Sequence, residues 1–475
     1  MKSKKTSEIT VLSHMENKTL TREEKIREGK DLREKCPRSK HAEWNPSLRT
    51  CDPIQLLEQS NMDRISGLVR IRYQRMSESP FTFFRGSSFI QASDLANSPA
   101  SGITIQVCGD CHLLNFGGFA TPERSLVFDI NDFDETFPGP WEWDIKRLAV
   151  SFVLAARDLG FSNDIVEEVA RQVTFSYRTK MLEFAQMSIL DRWYEKITIE
   201  KLVDFFKDDK DAAIRLKKAE VRATSRTSET LFPKITSGVK EHPRIKDEPP
   251  LLYHYAKNIK NVDGYGKYSN SYKTSLQEDR RILLDRYQVE DVAMKVVGIG
   301  SVGTRCVVVL LYADGSEPLF LQVKEARRSV LEKSEGKSRY EHQGYRIVHG
   351  QRLMQSASDI FLGWFSSVTG HDYYVRQLHD MKVTVNMENM TKPRLLSDYA
   401  EMCGWALARA HSKAGDVSRI SGYLGSKENF DDALVQYSTA YADQVEKDFK
   451  AFKAAIQSGR LKTKSDKEEL LEFEI

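Results

Sequence analysis

Between Tyr287 and Ala326 the chain reads YQVEDVAMKVVGIGSVGTRCVVVLLYADGSEPLFLQVKEA, and no other stretch restricts the fold so firmly. A strand-like run leads to a glycine turn, a second strand-like run, an Asp-Gly pair and a third run. β-Branched residues dominate the runs, and Asp-Gly is a preferred two-residue hairpin, so an antiparallel meander is expected here. The turn, Gly298-Ile299-Gly300-Ser301-Val302-Gly303, is a GxGxxG pattern that serves two different mechanisms. A dinucleotide-binding site requires a helix directly after the glycines. Here TRCVVVLLY follows, so the turn joins two strands. That suits a glycine-rich loop lying over nucleotide phosphates, with Gly298, Gly300, Ser301 and Gly303 as contacts. A plain hairpin that uses glycine for positive φ is the alternative.

Lys324 ends the third run, in FLQVKEA. A lysine in an apolar strand is costly to bury unless it meets a carboxylate or a phosphate. Its position after the glycine hairpin is that of a lysine pairing with α- and β-phosphates. Glu325 points to the opposite strand face. Glu341, ahead of the next helix, is therefore the expected partner, with Glu332, Glu335 and Gln351 as alternatives. A nucleotide base is expected beside the YYVRQL strand, near Tyr374 to His379, with Gln377 as a contact.

The complementary chemistry lies far upstream, in VCGDCHLLNFGGFATPERSLVFDINDFDE, Val107 to Glu135. Asp110 and Asn115 form D-x4-N on a loop between strand-like ITIQV and SLVFDI. At this spacing the Asp orients an acceptor hydroxyl and the Asn holds magnesium. Asp132, in Asp-Phe-Asp with Asp134, is the second expected magnesium ligand. Asn at a turn and Asp at a strand end are common singly, but the trio is harder to dismiss. Cys108 and Cys111 form CxxC without a second Cys or His pair, which argues against zinc. In SPFTFFRGSSF, Arg85 stands among aromatics and needs an anion, either a structural carboxylate or a phosphate.

A chain of 475 residues exceeds one compact core, so two lobes are expected. With 40% hydrophobic and 29% charged residues it reads as soluble and globular, and a net charge of +3 demands no nucleic-acid partner. Six irregularly spaced cysteines suit a reducing cytosol. No apolar run approaches the ~20 residues of a membrane span, and the N-terminus shows no signal-peptide core, so a cytoplasmic protein without a membrane partner is expected. Residues 1–48 form a polar extension read as a mobile or surface-draped helix, and residues 49–284 a mostly helical segment carrying the Asp/Asn/Asp motifs. Residues 285–392 form a β-rich lobe, 393–460 return to helix, and 461–475 are a charged tail. Asp144 opens a long amphipathic helix as an N-terminal acid. Residues 220–250, polar and proline-punctuated, read as a long surface loop in which Lys234, Arg222 and Arg226 are weak substrate contacts.

GDCHLLN followed by DFD resembles the H-G-D-x-H-x-x-N and Asp-Phe/Trp-x-Asp motifs of aminoglycoside phosphotransferases and choline kinases. Cys108 stands where those enzymes carry the first His, and His112 matches the second. Asp144, in EWDIKRLA, resembles an aspartate that anchors their catalytic loop. More closely, RMSESPFTFFRG, CGDCHLLNFG, FDINDFDETFPGPWEWDIKRL, GQRLMQSASDIFLGW and ARAHSKAGD resemble a bacterial family known only as domain of unknown function 2252, over roughly residues 50 to 450. The resemblance implies an α+β, two-lobed, protein-kinase-like fold that uses ATP and Mg2+ on a small-molecule acceptor. The order of the motifs is inverted relative to such enzymes, because Asp110 precedes Gly298. Circular permutation, with the catalytic lobe first and the nucleotide lobe inserted after it, is therefore expected; it is tolerated where termini lie at the surface. Three alternatives stay open: a nucleotide-binding module without turnover, nucleotidyl transfer to a protein, and a dinucleotide-dependent oxidoreductase.

Overall fold

The computed structural model describes residues 20–49, 51–237, 242–254, 270–296, 298–378 and 381–463, and the protein is mixed α+β. His379, positions 1–19 of the extension and positions 464–475 of the tail lie outside the described residues.

The meander forms as its residues dictate. Strands Gln288–Lys295, Cys306–Ala313 and Glu317–Glu325 pair antiparallel, and Asp372–Gln377, Gly363–Ser366 and Leu252–Tyr253 complete a six-stranded sheet. The strand after Gly303 runs antiparallel to the one before it, with no helix between them. A dinucleotide site has nothing on which to seat its pyrophosphate there, and the oxidoreductase alternative falls. Apolar clusters cover both faces: Leu319, Leu321 and Val323 pack with Phe361 and Tyr272, whereas Phe320 packs with Val308, Leu310 and Leu252. The strand Glu317–Glu325 is buried from Pro318 onward, so Lys324 is enclosed from both sides.

The helical body is built around Glu142–Asp158, buried through Ala156, with Glu142 and Asp144 in its first turn as acids facing the positive end of the helix dipole. Helices Asn163–Gln186 and Asn429–Gln457 pack on it, and Pro393–Ala414 packs along Asn163–Gln186. Helices from both sides of the sheet segment thus share one core. Helix Gln343–Met354 lies against the sheet strands Gly363–Ser366 and Asp372–Gln377 and also touches Pro393–Ala414, joining the two parts.

Several local expectations change. ITIQV and SLVFDI do not pair with each other. Thr104–Val107 pairs with Phe137–Pro140, and Leu126–Ile130 pairs with Phe116–Ala120. The strand Phe116–Ala120 was hidden by Gly117 and Gly118; a Cβ at Gly117 would stand 2.3 Å from the Val383 carbonyl oxygen, so this close pairing requires glycine. The 220–250 segment is not one long loop, because Lys210–Thr224 and Ser228–Ile235 are helices, the second closed by a Thr227/Thr230 capping box. The periodic run from Lys201 to Ala219 is broken between helices Ile199–Phe205 and Lys210–Thr224. In the polar extension, helix Arg22–Lys35 drapes over Val417–Leu424, with Arg33 donating to the Tyr423 carbonyl at 2.9 Å. Among the described residues no helix is long and apolar enough to cross a membrane.

Candidate active site

The loop from Cys108 to Asn115 leaves its strand through Gly109, whose φ of +83° favours glycine and where a Cβ would stand 2.4 Å from the Glu135 carbonyl oxygen. Asp144 holds the loop from below: its two carboxylate oxygens accept from the Cys108 and Gly109 amides at 2.7 and 3.0 Å. His411, buried and hydrogen-bonded to the Tyr177 hydroxyl at 2.9 Å, lies 3.1 Å from the same carboxylate. Cys108, Cys111 and Asp144 are close enough to share an ion. Both Asp144 oxygens are already engaged, however, and burial pushes both thiols up, Cys111 to about 11.

Asp110 is gripped by Arg147, whose Nε and Nη2 reach Oδ1 at 2.6 and 2.5 Å. Burial raises the Asp110 carboxyl above its ordinary value against the pull of this guanidinium. Asn115 donates its side-chain amide to the Asp110 carbonyl at 2.8 Å, which leaves its side-chain oxygen as a ligand atom. Burial, with Arg85 and Arg147 close by, holds the His112 imidazole far below its usual range and so neutral.

Lys324 and the Asp-Phe-Asp segment meet at the floor of the cleft. The Lys324 ammonium is 2.6 Å from Asp134, and the Tyr374 hydroxyl donates to the other Asp134 oxygen at 2.5 Å. Burial alone would raise the Asp134 carboxyl, but Lys324, with the Tyr374 hydroxyl and Arg376, holds the group below the usual carboxylate range. The expected partner Glu341 is exposed and makes no such contact. Neither Glu332 nor Glu335 forms an ion pair with Lys324, whose carboxylate partner is Asp134, and Gln351 bonds Gln355. The pairing comes instead from 190 positions away, where neither helix phase nor local spacing could point. Arg346, fully buried, was also missed; it donates to the carbonyls of Asp134, Thr136 and Arg327 and so fixes the segment behind Asp132.

These groups face one cleft of about 290 Å3, which brings together Asp110, His112, Asn115, Asp132, Asp134, Arg85, Gly298, Gly300 and Ser301. The Ser301 hydroxyl is 3.4 Å from Asp134. Lys324 stands behind Asp134, and Gly303 is pinned outside the cleft, its carbonyl accepting from the Ile65 amide at 2.8 Å. Arg85 has no carboxylate partner among the described residues, which removes the structural ion pair considered for it. Gln377 is elsewhere: it lines a separate polar cavity of about 110 Å3 with Gln322, Arg376 and Lys382. Lys234, Arg222 and Arg226 lie outside the cleft; Arg226 donates to the Lys382 carbonyl at 2.6 Å. An apolar cavity of about 280 Å3 behind the Phe116–Ile130 hairpin gathers none of these groups.

The fold and cleft define an α+β protein with carboxylates, a buried lysine and a glycine turn converging on one polar site. The chain belongs to the family described as "Uncharacterized protein conserved in bacteria (DUF2252)", whose model matches residues 64–455. No curated protein and no solved structure matches it.

Proposed function

We propose that the chain is an ATP- and magnesium-dependent phosphotransferase with a kinase-like, circularly permuted two-lobed fold and a small-molecule acceptor. The observation that carries this reading is the Lys324–Asp134 contact, which brings the lysine of the glycine-turn sheet to the Asp-Phe-Asp segment. Permutation is supported by the chain path: the helical body is entered first, left for the sheet, and re-entered at Pro393–Ala414.

The donor set fits the implied groups. Asn115 and Asp132 offer oxygens, the hard ligands that magnesium selects; the glycine-turn amides suit phosphates, and Lys324 stands behind Asp134 at the same site. Bound magnesium would neutralise phosphate charge. Asp110, poised at the cleft wall, orients the acceptor hydroxyl and takes its proton as the new P–O bond forms and the bond to ADP breaks; a raised carboxyl pKa suits that task. One observation favours a second reading, nucleotide binding without turnover: Arg147 already engages the carboxylate that would receive the proton.

The test is label transfer from γ-labelled ATP into a metabolite extract, with Asp110→Ala and Asp132→Asn as controls. Phosphotransfer predicts labelled product that both variants abolish. Label from the α position in product would mean nucleotidyl transfer, and nucleotide binding without any transfer would support the second reading.

A further inference from the structure

We propose that the acceptor is an anion: a phosphorylated or carboxylated small molecule held in the cleft by Arg85, Arg327 and Arg328. "Acceptor" rests on the phosphotransferase reading, whereas the anion site rests on the cleft alone.

The carboxylates that line the cleft are already engaged. Asp110 is paired with Arg147, Asp134 with Lys324, and Glu325 with Arg305 at 3.1 Å. Glu135 accepts from the Val330 amide at 2.7 Å, and burial pushes its carboxyl up to about 7, so it is only about half ionised at neutrality. Only Asp132 stands open, in the position suited to a metal.

The guanidiniums are in the opposite condition. Arg64 donates to the Val302 and Ser60 carbonyls, and Arg72 to Asn61 and the Gly86 carbonyl. All four acceptors are neutral, so neither guanidinium forms an ion pair among the described residues. Arg85 has no hydrogen-bond acceptor for its buried Nε, and Arg328 has no ion-pair partner among the described residues. Arg327 reaches the Ser60 carbonyl at 3.2 Å and, at 3.6 Å, a largely exposed Asp63. Burial, with Arg72 and Arg327 nearby, lowers the Arg64 pKa, and the opposing pull of Glu135 and Glu325 does not offset it. Two further buried atoms of the cleft wall lack partners, Arg72 Nε and His112 Nδ1, on residues 3% and 5% exposed. Such groups cost free energy until a ligand satisfies them.

A polyamine-like acceptor, as the aminoglycoside resemblance would imply, needs free carboxylates and would meet arginines instead. An anion would meet planar forks suited to phosphate and carboxylate. The triphosphate has its own contacts at the glycine turn, and the cleft lining also takes in Gln59 and Ser60, whose carbonyl Arg327 reaches.

The experiment is calorimetric titration of inorganic phosphate, citrate and spermidine into the full chain saturated with a non-hydrolysable ATP analogue and magnesium. Phosphate or citrate binding is expected, weakened about tenfold in Arg85→Gln and in Arg328→Gln, with analogue affinity held within about twofold. Arg328 is exposed, so its loss of binding cannot be ascribed to unfolding. The proposal is overturned if neither anion binds, if spermidine binds in their place, or if both variants weaken the analogue as much as the anion. Failure of the analogue to bind the wild type would refute the phosphotransferase reading instead. Anion titration of the nucleotide-free chain would then still decide the anion site.

Discussion

Lys324→Met tests the contact on which the functional reading depends, and it can be read without knowing a substrate. Methionine keeps the apolar stem and removes only the charge. Breaking a fully buried ion pair costs about 3–5 kcal/mol because the remaining charge is stranded. Lys324 is 3% exposed but Asp134 is 27% exposed. Water and the Tyr374 hydroxyl can therefore partly satisfy the carboxylate, and the expected cost falls to about 2 kcal/mol. Asp134→Asn strands the more deeply buried partner and should cost more, about 3 kcal/mol. If the two groups pair as described, the double variant costs about 3 kcal/mol rather than the sum of about 5, a coupling of about 2 kcal/mol. Urea denaturation of the four proteins at pH 7 measures it. The pH dependence has a definite sign. The Asp134 carboxyl lies lower in the folded chain than its ordinary value of 3.8. The coupling is thus fully present above that value and is lost as pH falls through the depressed one. Costs that add to within about 0.5 kcal/mol at pH 7 would refute the pairing, and with it the observation carrying the phosphotransferase reading.

Asp144→Ala leaves the Cys108 and Gly109 amides and the buried His411 without their acceptor, so stability should fall by about 2–4 kcal/mol in a denaturation experiment, with Asp144→Asn less damaging. Gly109→Ala meets both a positive φ and the Glu135 carbonyl, and calorimetry should register at least about 2 kcal/mol of destabilisation. Glu135 has a folded pKa raised by burial from 4.5 to about 7, so its contribution is present below 4.5 and is lost as pH rises through about 7. Glu135→Gln should therefore be the more stable protein at pH 7.5, the difference vanishing near pH 4.5 in thermal melts.

What the sequence disclosed follows the range of each interaction. The meander was legible because strand alternation, the glycine turn and Asp314-Gly315 are local signals, each complete within a few residues. Asp110, Asn115 and Asp132 were legible because one loop and one hairpin carry them. The partner of Lys324 was not: Asp134 reaches it across the junction of sheet and helical body, and a search along the following helix looked in the wrong part of the chain. Arg147 left a signal that went unused. It is a cation within a helix otherwise buried on every side, one turn past Asp144, and such a residue requires a nearby anion. Arg346 left the same signal in helix Gln343–Met354.

Cys108 stands where the resembled phosphotransferase motif carries a histidine, and the loop around it is held without that side chain. The link from position 108 to Asp144 runs through the backbone amide, and so does the link from Gly109. Neither depends on the side chain at 108. The imidazole that does touch Asp144 comes from His411, on a helix near the other end of the chain, and it is held in place by Tyr177. The Cys108 side chain is 1% exposed, beside Cys111 in the apolar floor, where an imidazole would have to be desolvated. A small, weakly polar thiol fills that space beside the Cys111 thiol and the Asp144 carboxylate. Position 108 therefore sets the packing under the loop, while Asp144 with His411 and Arg147 set its geometry. The placement of Asp110 and Asn115 thus rests on Asp144, Arg147 and the Asn115–Asp110 hydrogen bond rather than on the side chain at 108.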